Sequence, residues 1–204
     1  MDMKGSIAAI KDAITKSAAE RTSPEVISAA YAVVHLIGGV LLASARLLGA
    51  AGPFGMAAVA ASGAGLNGVA ALIGAAIGYI ISCGLAGSIR YLAAIVLVYT
   101  ISFAFQDTKL ASKSVFAPAT AAVSALSTGI LSSFTSVFTQ APAAAVVLIE
   151  TVFSFGGCWF FHEAMSGRER TTESEELRYA GSVLITAAVL LMAVSQIEIF
   201  GAIS

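Results

Sequence analysis

The chain has 204 residues, of which 58% are hydrophobic and only 11% are charged, and its mean hydropathy is +0.90. Soluble proteins carry about a quarter charged residues, so this composition excludes an ordinary soluble domain and leaves almost no room for an extramembrane catalytic domain. The net charge of −1 gives no reason to expect a nucleic-acid partner. We therefore predict an all-α, polytopic integral membrane helical bundle whose immediate partner is the lipid bilayer.

Residues 1–22 are charged throughout and predict a cytoplasmic amino-terminal tail. Ile7, Ile10 and Ile14 recur at helical spacing among lysines, which suits a short helix at the membrane surface, although a solvated tail explains them equally well. Residues 23–204 form the predicted membrane domain, with about six to seven hydrophobic segments. Their approximate bounds are 26–48, 53–62, 67–84, 91–105, 118–139, 142–161 and 179–197.

The nearly uncharged stretch from Gly52 to Ser88 is too long for one membrane span. A straight helix of this length would reach roughly 50 Å, against a hydrocarbon core of roughly 30 Å. Breaking residues gather in Gly63-Ala64-Gly65-Leu66-Asn67-Gly68, which predicts a glycine-rich broken hairpin. Gly74-x-x-x-Gly78 follows and predicts close helix contact.

The placement of lysine and arginine favours a hairpin here over a single crossing. With one crossing the eleven basic residues divide five to six between the two sides of the membrane, which shows no bias. With a hairpin, nine lie on the side of the amino terminus and two lie opposite. The amino terminus is therefore expected in the cytoplasm and the carboxyl end outside. The nine are Lys4, Lys11, Lys16, Arg21, Lys109, Lys113, Arg168, Arg170 and Arg178, and the two are Arg46 and Arg90.

Glu150 falls near the middle of the segment 142–161, where an acid is costly and must be paired, protonated or in contact with water. We expect it to mark a helix contact or a small polar cavity. A protonated acid bonded to serine or threonine of the adjacent segment explains it equally well. Arg46 and Arg90 flank the glycine-rich hairpin and are expected to extend to the interface or to form a pair.

Three patterns that suggest chemistry have simpler explanations. Gly63-x-Gly65-x-x-Gly68 matches the dinucleotide-binding fingerprint, but it lacks the preceding strand and the following acid. Ser62 with His35 or His162 suggests an intramembrane serine hydrolase only weakly, and a small packing serine is favoured. Cys158 and His162 share a helix face without a third ligand. We therefore predict no catalytic, cofactor or metal site in this chain.

One segment resembles a known family. Leu41-Leu-Ala-Ser-Ala-Arg46-Leu-Leu-Gly-Ala-Ala-Gly-Pro53-Phe54-Gly55-Met-Ala is similar to the first span and following turn of the stage II sporulation protein E family. The order of later features is similar too, with an acid in a span at Glu150 and a charged loop before a span ending Glu198-Ile-Phe-Gly201. The resemblance covers nearly all of this chain and the front two thirds of the family's membrane region.

The resemblance implies a region of about ten spans that anchors a cytosolic protein phosphatase of the 2C type. In that family the phosphatase domain uses Mn or Mg, acts on an anti-sigma factor antagonist and so activates the forespore sigma factor. The membrane region places the protein at the polar sporulation septum beside the tubulin-like division protein. This chain stops at Ser204, before the phosphatase, and no catalytic residue has a counterpart here. We expect it to be the front part of a longer protein that anchors, self-associates into a homo-oligomer and localises.

The competing prediction is a small-molecule transporter subunit, similar to the substrate-binding components of vitamin uptake systems. Its length, its number of apolar segments and its broken small-residue helices fit that class. Against it, the sequence shows no cluster of aromatic and polar residues that converges on one pocket, and Trp159 stands alone.

Overall fold

In the computed structural model, helices make up most of the described chain, which comprises residues 24–47, 50–134, 140–165 and 172–203. The amino-terminal tail predicted over 1–22 lies outside these residues. The prediction of an all-α fold is confirmed. The helices are α1 (Pro24–Ser44), α2 (Phe54–Ser62), α3 (Leu66–Phe105), α4 (Phe116–Ser132), α5 (Ala141–Met165) and α6 (Glu173–Ile203), and a two-residue pairing joins β1 (Arg46–Leu47) to β2 (Ala50–Ala51).

Among the described helices, α1, α3, α5 and α6 are long and apolar enough to cross a membrane. The shorter α4 is also apolar. Large hydrophobic side chains cover the outer faces of these helices, including Ile37, Ile81 and Leu184. A soluble protein of this size would bury most such side chains, whereas a bilayer solvates them. These features support a membrane-embedded protein.

Two sequence-based boundaries are wrong. Residues 85–90, predicted to link two segments, are helical and belong to α3. The charged loop predicted between His162 and Arg178 is shorter, because α5 continues to Met165 and α6 begins at Glu173. Three acids in the first turn of α6 lie at the positive end of its dipole, so charge there favours helix rather than loop. The segment predicted over 118–139 ends with residues 135–139, which lie outside the described residues.

The helix α3 reverses direction at Gly84, whose φ of +68° is accessible to glycine at little cost. The rings of Tyr79 and Tyr91 stack with centroids 4.8 Å apart across this bend. In a straight helix, residues twelve positions apart would be about 18 Å apart. Tyr99 lies close to Gly68 in the same way. The two halves of α3, residues 66–83 and 85–105, therefore form an antiparallel helical hairpin.

A second break separates α2 from α3, in the glycine-rich segment where the sequence predicts it. The chain turns at Gly63, which has a φ of +73°, and α3 begins after Gly65. With nine residues, α2 is roughly 13 Å long and too short to cross a hydrocarbon core alone. All residues from Phe54 to Ala60 are buried, and α1, α3, α4 and α5 surround them. The short helix is thus enclosed by protein, whereas the break at residues 63–66 is partly exposed.

Tyrosines of α3 hydrogen-bond the non-helical backbone on both sides of α2. The Tyr79 hydroxyl donates to the Gly52 carbonyl at 3.2 Å, and the Tyr91 hydroxyl lies 3.3 Å from the Ala51 carbonyl. The Tyr99 hydroxyl donates to the Ala64 carbonyl at 3.1 Å. A buried carbonyl oxygen that is left without a donor costs about 1–3 kcal/mol. The tyrosines therefore hold the interrupted segment inside the bundle.

The contact between α1 and the first half of α3 depends on glycine. A Cβ at Gly39 would lie 2.6 Å from the Ala71 carbonyl oxygen, closer than atoms can approach. A Cβ at Gly74 or Gly78 would overlap the carbonyl oxygens of Leu36 and Val40, respectively. Leu36 on α1 faces Gly74 on α3, and Val40, one turn later on α1, faces Gly78, one turn later on α3. These two helices therefore run parallel, and their backbones touch.

The helix ends gather at two ends of the bundle. At one, the Arg46 end, the guanidinium of Arg46 donates to the Ser82 carbonyl near the Gly84 bend. At the other, the His162 end, His35, Ser62, Asn67 and His162 lie around one cavity. The connection from 106 to 115 also belongs to the His162 end, because Tyr99 near the end of α3 contacts Ala64. Each end therefore joins residues that are distant in sequence.

Adjacent glycines on α1 provide a matched test of the glycine contact. We expect Gly39→Ala to lower the free energy of unfolding by about 1–3 kcal/mol, because its methyl group has no space against α3. At Gly38 no atom lies within 4 Å of the added Cβ, so Gly38→Ala should leave stability unchanged or raise it slightly. Chemical unfolding of the purified protein in detergent measures both. Equal effects of the two substitutions would contradict the packing of α1 against α3.

Candidate functional site

A buried ion pair lies near the Arg46 end. Glu150 of α5 pairs with Arg90, which lies in the second half of α3, six residues after Gly84. The side chain of Glu150 is only 8% exposed and that of Arg90 is 21% exposed. A carboxylate at this depth needs a cation or several donors to stay charged. The pair therefore fastens α5 to the hairpin of α3.

Tyr91 extends this pair into a network. Its hydroxyl lies 3.2 Å from Glu150 Oε1 and 3.3 Å from the Ala51 carbonyl oxygen. A hydroxyl carries one proton, so these two acceptors compete for it. The guanidinium carbon of Arg90 also lies 5.4 Å from the centre of the Tyr91 ring, within the range of a cation–π contact. One tyrosine thus connects the ion pair to the strand before α2.

The structure places Glu150 at a contact between helices. Its hydrogen-bond partners are Arg90 and Tyr91, not a serine or threonine of a neighbouring helix. Arg46, the other arginine beside the hairpin, lies apart from this pair and bonds Ser82 instead. Three buried polar atoms have no hydrogen-bond partner among the described residues: Arg90 Nε, Ser124 Oγ and Ser154 Oγ. Ser154 follows Glu150 by one helical turn, so polarity continues along this face of α5.

A second candidate site is an open cavity of about 500 Å³ at the His162 end, here named the histidine cavity. Helices α1 and α5 and the break between α2 and α3 all contribute to it. Its walls are Tyr31, Val34, His35, Ala61, Ser62, Asn67, His162 and Met165. It contains both histidines of the chain. The sequence-based statement that no aromatic and polar residues converge on one pocket is therefore wrong.

Two side chains of the histidine cavity have defined hydrogen bonds. Nδ1 of His35 lies 2.8 Å from the Tyr31 carbonyl oxygen, one turn earlier in α1. A carbonyl oxygen only accepts, so Nδ1 carries the proton and Nε2 of the neutral ring has a lone pair. The Ser62 hydroxyl donates to the Ala58 carbonyl at 2.7 Å. Neither bond joins Ser62 to a histidine, so the serine is not activated as a nucleophile in this arrangement.

The predicted glycine positions have different surroundings. Gly63 and Gly65 have open space around an added Cβ, whereas Gly68 packs against the Gly63 carbonyl. Asn67 lines the histidine cavity. The sequence shows the break at these residues, but only the fold shows that the break opens onto both histidines. Within the described part of the chain, no group of three or more His, Cys, Asp or Glu side chains is arranged to hold a metal ion.

Comparison of the chain with protein-family models, with curated proteins and with solved structures finds no match.

The Arg90–Glu150 pair can be tested against an exposed pair in the same protein. We expect Glu150→Gln to lower the free energy of unfolding by on the order of 3 kcal/mol, because it leaves a largely buried guanidinium without its anion. The control is Arg178→Gln, which breaks the more exposed contact with Glu163 and should cost less than about 1 kcal/mol.

The double substitution Arg90→Gln/Glu150→Gln separates pairing from packing. It should lose less stability than the two single substitutions added together, because no charge then remains buried alone. Chemical unfolding in detergent measures all four variants. If Glu150→Gln proves no worse than Arg178→Gln, the pair does not stabilise the bundle.

Proposed function

We propose that this chain is a membrane-anchoring, self-association and localisation module with no chemistry of its own. The observation that carries the proposal is the structural role of the segment from Leu41 to Ala57, which resembles the stage II sporulation protein E family. Eleven of the fourteen residues whose burial is described in this segment are buried, and the other three are partly buried. Residues that define the packing of a bundle are those that a family sharing the fold would retain.

Three parts of this segment have specific contacts. Arg46 bonds the Ser82 carbonyl, which fixes the end of α1 to α3. The Phe54 ring packs against Phe153 and Phe161 of α5, at centroid distances of 6.2 Å and 6.4 Å. Gly55 faces the Tyr79 ring so closely that a Cβ would lie 2.7 Å from it. The arginine, phenylalanine and glycine of the resembling segment therefore each have a structural role in the bundle. This supports kinship with that family's membrane region.

The resemblance gives the proposal its cellular context. The chain would be the front part of a longer protein that carries a Mn- or Mg-dependent phosphatase and activates the forespore sigma factor. The membrane module would place that enzyme at the polar septum, with the tubulin-like division protein among its partners. Homo-association would occur through outward helix faces, because the ion pair and the glycine contacts are used within the monomer.

The proposed topology has the amino terminus in the cytoplasm and the His162 end facing the cytoplasm. Its support is that α1 begins at this end, and that Lys109, Lys113 and Arg178 lie at the same end. Arg46 and Arg90 lie towards the opposite end. Positive residues concentrate on the cytoplasmic side of membrane proteins, so the grouping favours this orientation over the reverse.

Cysteine labelling tests the topology. Ser112→Cys lies in the exposed connection at the His162 end, and Ala86→Cys lies beside the Gly84 bend, where residues are also exposed. In a background with Cys83 and Cys158 replaced by alanine, an impermeant maleimide added to intact cells should label Ala86→Cys and not Ser112→Cys. Permeabilised cells supply the control, since both positions should then react. Labelling of Ser112→Cys in intact cells would reverse the orientation.

Localisation tests the function itself. A fluorescent protein fused ahead of Met1, at the end proposed to lie in the cytoplasm, should concentrate at the polar septum when the fusion is expressed in a sporulating bacterium. A fusion carrying only residues 1–48, with the tail and first span, serves as the control for general membrane fluorescence. Uniform membrane fluorescence of the longer fusion, at normal abundance, would contradict the localisation role.

A small-molecule transporter subunit is the second candidate function. The histidine cavity is the observation that favours it, because ligand sites in transporters form where helices are interrupted, as α2 and α3 are here. Saturable binding of a small molecule by the purified chain would support this candidate. Septal placement without such binding would support the first.

A further inference from the structure

We infer that the histidine cavity is a binding site for a small molecule that donates hydrogen bonds, such as an amine or an alcohol on an aromatic or aliphatic body. The inference deepens the second candidate function by naming the ligand chemistry. It does not depend on the anchoring role, since a localised module with this site would still bind. The inference is based on which hydrogen-bond donors and acceptors of the wall residues already have partners within the protein.

Two polar side chains of the cavity, His35 and Ser62, use their protons internally, whereas Tyr31, Asn67 and His162 can each donate or accept. Nδ1–H of His35 is taken by the Tyr31 carbonyl, and the Ser62 hydroxyl proton is taken by the Ala58 carbonyl. What remains on His35 is the Nε2 lone pair, and what remains on Ser62 is oxygen lone pairs. These two residues can therefore accept hydrogen bonds from a ligand but cannot donate without breaking an existing bond. A ligand with N–H or O–H groups fits both.

The charge of the wall argues against ionic alternatives. The eight wall residues include no lysine, arginine, aspartate or glutamate. An anion such as a carboxylate would find no lysine or arginine among these residues, and it could accept only from Tyr31, Asn67 or His162, not from His35 or Ser62. A divalent metal ion would find two imidazoles and no carboxylate, fewer strong ligands than protein sites supply. A neutral or singly positive donor meets neither difficulty.

The remaining walls fit the body of such a molecule. Tyr31 offers an aromatic ring, and Val34, Ala61 and Met165 offer apolar surface. Asn67 at the start of α3 adds an amide that can accept or donate. The volume of about 500 Å³ lies within the range of small-molecule sites in proteins. Apolar surface together with a few polar groups is the usual composition of such sites.

Matched probes with one shared ring test the inference. Benzylamine and benzyl alcohol carry donors, benzoate carries only acceptors at neutral pH, and benzyltrimethylammonium carries a positive charge without an N–H group. The purified chain in lipid nanodiscs is titrated with each probe by saturation-transfer NMR, with empty nanodiscs subtracted. We expect benzylamine or benzyl alcohol to bind saturably at about 1 mM or better. Benzoate should bind at least tenfold more weakly.

Variants assign that binding to the cavity. His35→Phe keeps a ring and removes the Nε2 lone pair, and Ser62→Ala removes the hydroxyl oxygen. Each should weaken the binding of benzyl alcohol about fivefold, the effect of one neutral hydrogen bond. Ser132→Ala is the matched control, because Ser132 makes the same kind of bond to its own helix, to the Gly129 carbonyl, away from the cavity. Thermal unfolding verifies that each variant is folded.

Three results would overturn the inference. They are tighter binding of benzoate than of benzylamine, equal binding of benzylamine and benzyltrimethylammonium, and no saturable binding of either donor probe to the folded protein. Tighter binding of benzoate would mean that the wall residues donate hydrogen bonds to the ligand. Equal binding of the two cations would mean that the cavity recognises positive charge alone. No saturable binding would mean that the cavity does not bind small hydrogen-bond donors. None of them bears on septal localisation, so failure here is distinguishable from failure of the anchoring proposal.

Discussion

Carbonyl groups released by interrupted helices must find donors inside the bundle, and the rest of this structure depends on how they do so. In hydrocarbon, an unsatisfied backbone group costs several kcal/mol, which is why continuous helices are the usual solution. Here the chain is interrupted on both sides of α2. Tyr79, Tyr91 and Tyr99 of α3 meet the carbonyls of Gly52, Ala51 and Ala64. The short helix α2 can lie at the centre of the bundle because these three hydroxyls surround it.

The hairpin of α3 makes this arrangement feasible. Its bend at Gly84 brings Tyr79 and Tyr91 into one stack, so that donors from two halves of the helix reach the same two-residue stretch, Ala51-Gly52. The bend also carries Arg90 to the interior, where it meets Glu150. The ion pair is therefore part of the same construction as the tyrosines, with Tyr91 as the shared residue. Its main consequence is to fix α5 beside the interrupted segment.

The two ends of the bundle differ in what they offer to other molecules. Near the Arg46 end, polar side chains bond one another and the backbone, which is the pattern of a structural support. At the His162 end, the polar side chains surround an open cavity and retain lone pairs. An anchoring module needs the structural support at the Arg46 end. A ligand-responsive module needs that support and the open cavity at the His162 end. The location of the cavity at the end proposed to face the cytoplasm would make it accessible to soluble metabolites.

Sequence patterns alone predict the fold class, the break at Gly63 to Gly68 and the approximate positions of the long helices. These follow from local physics: apolar runs of sufficient length, and glycine where the chain must turn. The sequence identified Glu150 as a costly residue, but it left open whether Glu150 pairs with a cation or bonds a hydroxyl. The segment predicted over 91–105 begins earlier, at residue 85, because the buried partner of Arg90 lets that arginine lie within the helix.

Which distant residues meet depends on how the helices pack together. The reversal at Gly84 and the pairing of Arg90 with Glu150 depend on contacts between separate helices, and no periodicity in one segment encodes them. The convergence of His35, Ser62, Asn67 and His162 is of the same kind. Each residue has an ordinary explanation within its own segment, as a helix-facing histidine, a packing serine or a turn asparagine. The cavity exists because packing around a nine-residue helix leaves space where its carboxyl end stops short.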